Sequence, residues 1–127
     1  MENLTSEIGT FEYDNLIAGN AVPLLAAEVT LAKNQGVVEK GTVLGVVSAT
    51  GLAVPVDDTN ADGSENPHSI LTDDVDTGDG SATDDFITTA YVSGLFNSAA
   101  LIFGGDDVVA DHELALRKLG IFLKENK

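Results

Sequence analysis

Only one stretch of this chain carries a helical period, and glycine closes it at both ends. Between Gly104-Gly105 and Gly120, Val108, His112, Ala115 or Leu116, and Leu119 recur at the spacing of one helix face. Asp106 or Asp107 is placed to accept hydrogen bonds from the first free amides, and these acids, with Asp111, suit the positive helix start. Arg117 and Lys118 fall in the last turn, where positive charge is favoured, and Gly120 suits the left-handed position just beyond it. A helix so late and so isolated leaves the rest of the chain to strands and loops. No helical crossover lies between the expected strands, so parallel βαβ units are not expected. The expected class is mostly β (α+β), a compact domain with one C-terminal helix and a flexible N-terminal arm.

The clearest strand signal comes after the turn residues 33–36. Val37 and Val38 precede Glu39-Lys40-Gly41, Thr42–Ala49 is rich in β-branched residues, Thr50-Gly51 turns the chain, and Ala53–Val56 returns as a hairpin. Glu28–Leu31 alternates briefly, and Ser69–Val75 and Phe86–Val92 read as further strands. The acidic, turn-rich segments Asp57–Glu65 and Asp76–Asp85 read as surface loops. Gly94 and Asn97 are expected to break the chain beyond Val92 into short pieces, including Leu101–Phe103, and Ile121-Phe122-Leu123 forms a last short strand or apolar clamp. Residues 1–20 are expected to form the arm and 21–127 a single β-rich domain.

Charge narrows the partners. The chain has a formal net charge of −15 and only six basic residues among its 127, and none lies between Gly41 and Leu116. Nucleic-acid affinity comes mainly from Lys and Arg displacing counterions from phosphates, so nucleic acid is not an expected partner, and anionic membrane surfaces are disfavoured for the same reason. Cysteine is absent, which excludes a disulfide framework and thiolate metal sites. No run approaches the roughly 18 apolar residues of a membrane span.

Several motifs carry partial chemistry. Asp58, Asn60 and Asp62, followed by Gly63, match the front of a calcium loop, but the twelfth position is Ser69 where a bidentate Glu is needed. An Asx-rich turn explains the same residues, and a calcium-binding β-rich surface or secreted module is the alternative function. His112-Glu113 begins a zinc-binding H-E-x-x-H whose fifth residue is Leu116, so the motif is incomplete. The adjacent acids Asp57-Asp58, Asp73-Asp74 and Asp84-Asp85 point to opposite faces in an extended chain and make poor acid and base partners. Gly104-Gly105 lacks a following G-K-S/T, and Asp106-Asp107 would repel phosphate. Val38–Leu44 resembles a strand of biotinyl and lipoyl carrier domains, yet the hairpin Ser48–Leu52 has no lysine to modify. Neither an enzyme nor a cofactor is expected.

A broader resemblance runs along the chain. FEYDNLIAG at Phe11–Gly19, VEKGTVLGVVSATGLAVPVD at Val38–Asp57, ADGSENPHSILTDDVD at Ala61–Asp76, YVSGLFNSAALIFGG at Tyr91–Gly105 and LALRKLGIFLK at Leu114–Lys124 occur in an order that resembles the small head decoration (capsid cementing) proteins of tailed bacteriophages. The acidic loop Asp76–Asp85 and the scarcity of lysine depart from that pattern. The resemblance implies a β-clip-like fold similar to that of the phage lambda decoration protein. It also implies homotrimers on the outer surface of the expanded head at three-fold and quasi-three-fold positions, bridging subunits of the major capsid protein. The protein would be made in the host cytoplasm and end in the virion.

In that setting the arm acquires a role. Ordering Ile8–Ile17 costs backbone entropy comparable to what burying its apolar side chains returns, so it is expected to order only against a partner, by adding a strand to it. The expected capsid-binding residues are Ile8, Thr10, Phe11, Glu12, Tyr13, Leu16 and Ile17. Leu95, Phe96 and Phe103, in a glycine-broken setting, are the expected trimer contact, with ordinary core packing as the competing explanation.

Overall fold

A computed structural model describes residues 16–19 and 22–124. Its elements are β1 (Ile17–Gly19), β2 (Leu25–Leu31), β3 (Val37–Val38), β4 (Val43–Val46), β5 (Ala53–Pro55), β6 (Ser69–Leu71), β7 (Val75–Asp76), β8 (Phe86–Asn97), a 3₁₀ turn (Ser98–Ala100), α1 (Val109–Leu119) and β9 (Ile121–Lys124). The fold is mostly β with one C-terminal helix. Among the described residues no helix is long and apolar enough to cross a membrane.

β8 organises the molecule. Its first half pairs antiparallel with β2 on one side and β6 on the other. β2 reaches β5, β5 pairs with β4 and β4 with β6, so the strands close into a ring. The second half of β8 leaves this ring and is flanked by β1, antiparallel, and β9, parallel. A separate two-stranded ribbon of β3 and β7 holds the acidic loop at its end.

Each expected strand region contains a strand, with informative changes. The hairpin at Thr50-Gly51 is present, with the Gly51 amide donating to the Val47 carbonyl at 2.7 Å. Ser69–Val75 does not form one strand: Thr72-Asp73-Asp74 interrupts it, sending β6 into the ring and β7 into the ribbon. Gly94 does not break β8. At φ +147° a Cβ there would stand 2.9 Å from the Phe96 ring and 2.8 Å from Leu24 Cδ1, so glycine lets the strand continue beneath a ring laid across it.

The expectation about parallel units is corrected. β8, α1 and β9 form a βαβ connection, with Gly94 to Asn97 in parallel register with Ile121 to Lys124. The periodicity gave the helix but not the continuation of β8 to a point where β9 could return beside it.

The helix starts later than its acids suggested. Val108 is the N-cap, and the Asp111 carboxylate accepts from the Val108 amide at 2.9 Å. At the other end Gly120 adopts φ +95° and its amide donates to carbonyls of the last turn, as its position predicts. The apolar stripe is narrower than its spacing implied, since His112 and Leu116 are buried while Val108 and Leu119 are exposed.

Candidate functional site

The described residues begin at Leu16. Ile8, Thr10, Phe11, Glu12 and Tyr13 lie outside the described residues. Leu16 is only 3% exposed and packs in a cluster with Val43, Val56, Ile70, Phe96, Leu116 and Ile121. Its carbonyl accepts from the Asn97 amide at 2.7 Å, and Ile17 then lies in register with Phe96. Leu16 is thus a core residue, and Ile17 a partly buried residue of β1 paired with β8.

The expected trimer contact divides. Phe96 is fully buried beside Tyr91, ring centroids 5.5 Å apart, so it is a core residue and presents no surface. Leu95 is half-buried on β8 between Gly19 of β1 and Phe122 of β9. Phe103, also half-buried, stacks on His112 with ring centroids 5.5 Å apart.

The structure assembles a polar knot that sequence reading did not. Asp107, freed from capping, turns back to the loop after β5. Its Oδ2 accepts from the Asp58 amide at 2.9 Å and meets His112 Nε2 at 2.5 Å. An ionised carboxylate only accepts, so Nε2 carries the proton. Burial works against ionisation of Asp107, but the hydrogen bonds from His112 and the Asp58 amide outweigh it and hold the carboxyl below its ordinary range. Asp58 shifts the other way: its hydrogen bond to Asp107, then burial, then the negative charges of Asp107, Asp111 and Asp57 push its carboxyl up. The backbone at Gly105 makes this approach possible, because a Cβ there would stand 2.6 Å from Asp57 Oδ2. The i, i+5 separation of Asp107 and His112 was the available signal, and the helix-cap reading had claimed the aspartate.

The calcium-loop residues are occupied locally. Asp62 Oδ1 accepts from the hydroxyl of Ser64 at 2.5 Å and from its amide at 3.0 Å, which hold the carboxyl below its ordinary range. Asn60 donates its amide to the same hydroxyl at 2.8 Å. The backbone amide of Asp58 donates to Asp107 Oδ2. These contacts are those of an Asx-rich turn. Carboxylate oxygens of Asp57, Asp58 and Asp107 do lie within 4.8 Å of one another, a grouping that hard cations favour; Asp107 already meets His112 and the Asp58 amide, and Asp57 accepts from Thr59.

Comparison with known families decides the class. The model of the bacteriophage lambda head decoration protein D family matches residues 5–121. The chain belongs to that family. A search of curated proteins finds no match. As a member of the decoration family the chain is a structural component of a phage head and a binder of its capsid, so its polar knot is read as architecture. The matched span takes in the segment before Leu16 as well as the ring, the helix and the start of β9.

Proposed function

We propose that the protein sits as homotrimers on the outer surface of the expanded phage head, at three-fold and quasi-three-fold positions, and stabilises the shell by bridging neighbouring major capsid subunits. The observation that carries this reading is the family match over residues 5–121. Residues 8–13, with Ile8, Phe11 and Tyr13 as their apolar members, form the gripping segment. It adds a strand to the capsid subunit, where backbone hydrogen bonds give affinity and alternate side chains give fit. Leu16 and Ile17 act as its root. A buried root transmits load from the gripping segment into the core beneath α1 instead of leaving it on a free tether. Three roots held in one trimer raise the effective concentration of each segment at the shell, so modest single contacts suffice.

The test is removal of Met1–Asp14, which leaves Leu16 and β1 in place. The truncated protein should keep its melting transition and lose binding to expanded shells that lack the decoration protein, read as occupancy by electron microscopy. Undiminished occupancy would overturn the assignment.

A further inference from the structure

Two exposed apolar patches lie at opposite ends of the β2–β8 pair, and their charged surroundings differ in sign. One contains Leu24 and Leu25, the latter opposite Ser93 in register. Behind it the buried Gly94 donates its amide to the Gly120 carbonyl at 3.2 Å, which brings the end of α1, with the exposed Leu119, next to this end of β8. The Ser93 hydroxyl pins this corner by donating to the Pro23 carbonyl at 2.7 Å. Arg117 and Lys118, both exposed, stand in the last turn beside it, Arg117 facing Glu113 at 3.7 Å.

The other patch is Phe86 and Ile87, the latter 69% exposed, about 23 Å along the strand at ~3.3 Å per residue. It adjoins the loop carrying Asp79, Asp84 and Asp85, against which, among the described residues, Lys33 packs: its amide donates to Asp85 Oδ1 at 3.0 Å and its ammonium to the Thr83 carbonyl at 3.5 Å. Asn34 shapes the loop, its Oδ1 accepting from the amides of Gly80 and Ala82, each at 2.9 Å. The acidic rim is thus a built surface.

We infer that the two patches are partners between copies: the Leu24, Leu25 and Leu119 face of one copy seats on the Phe86 and Ile87 face of the next. A chain of net charge −15 repels itself unless its few cations lie at the contact; Arg117 and Lys118 supply two of the six to the leucine face, and Lys33 lies within the acidic rim opposite, outnumbered there by Asp79, Asp84 and Asp85. Because the faces are different, the contact is heterologous, and the trimer reading requires that its rotation close after three copies instead of running on as a filament. The inference rests on the trimer reading above and moves the contact away from Phe96.

Charge reversal tests it with the full chain. Arg117→Glu with Lys118→Glu, or Asp79→Lys with Asp84→Lys, should each weaken self-association about tenfold or more, because like charges then face each other. All four changes together reverse both faces and should restore association to within a few-fold of wild type. Leu25→Asp should weaken it without rescue by the charge changes. Association is read by sedimentation equilibrium and as three-fold density on decorated shells, with circular-dichroism melting to show that each variant folds. Trimeric wild type with equally trimeric variants would overturn the pairing of faces and leave the trimer reading standing. Wild type that is monomeric both in solution and on shells would overturn the trimer reading and the inference with it.

Discussion

The described residues form two cores, divided by the β4–β6 pair, and they are built differently. Adjacent residues of each strand serve opposite sides: Val43 and Ile70 face the layer beneath α1, while Leu44 and Leu71 face the interior of the ring with Val29, Leu31, Val38, Ala53 and Ala90. The ring interior is wholly aliphatic in its buried members. The outer layer adds Phe96, with Tyr91 and Phe103 packed against it, and draws Leu16, Leu116 and Ile121 from distant parts of the chain. The ring is a sheet closed on itself, whereas the outer layer exists only when the start of the body, β8, α1 and β9 have all come together. The root of the proposed gripping segment lies in this second, more composite core.

The strongest way to break that distinction is Phe96→Ala. It removes the largest side chain of the outer layer and should cost about 3–5 kcal/mol, measured by urea unfolding. Hydrogen exchange at the Asn97 amide, which is held by the Leu16 carbonyl, should rise in step. A loss below about 1 kcal/mol, the range of peripheral sites, would mean that the ring stands without this layer. Gly45→Ala, on the same side of β4 as Val43 but against the 57–65 loop, sharpens the contrast. A Cβ at Gly45 would stand 2.2 Å from the Ser64 carbonyl oxygen, a backbone atom with little room to give. The expected cost is about 1–3 kcal/mol from overpacking, and a neutral change would show that the 57–65 loop is freer than its contacts imply.

The two cores were not equally legible in the sequence. Runs such as Val43-Leu44 and Ile70-Leu71 announce strands buried on both faces, and the hairpin at Thr50-Gly51 is local chemistry. The helix was legible because its glycines and last-turn cations act locally as well. What failed was non-local. Gly94 reads as a breaker until the Phe96 ring is placed over it. Asp107 reads as a cap until the loop after β5 approaches it. Leu16 reads as part of an arm because nothing near it in sequence reveals a cluster reaching residues 116 and 121. Order of motifs pointed to the family, but which side chains are root, core or surface depended on pairings that periodicity does not encode.

The polar knot ties the ring to the outer layer, so its titration tests whether the two are coupled. Asp107 has a carboxyl held below its ordinary value of 3.8. Its ionised form therefore stabilises the fold fully above that value, and the stabilisation is lost as pH falls through the lower folded-state value. Asp107→Asn should cost about 1–3 kcal/mol at neutral pH, the range of a lost charge-assisted hydrogen bond with a buried partner left behind. The deficit relative to wild type should shrink in acid, measured as the difference in melting temperature between pH 7 and pH 3. A deficit independent of pH would assign the effect to packing.

Asp58→Asn should give the smallest effect, with the opposite sign. The Asp58 carboxyl is raised above 3.8 by its hydrogen bond to Asp107, by burial and by three neighbouring acids. Below 3.8 it is protonated in both folded and unfolded states and contributes no penalty; as pH rises through the higher folded-state value, ionising it works against the fold. Asparagine supplies an N–H toward Asp107 with no charge, the same service the protonated acid gives. The variant should therefore melt slightly above wild type at pH 7, and the gain should vanish below about pH 4, where carboxylates protonate in both states. Because the backbone amide of residue 58 still donates to Asp107, the tie between the 57–60 turn and the helix start persists in the variant. A melting temperature unchanged at neutral pH would show that Asp58 titrates freely, and that only Asp107 and His112 hold the two parts together.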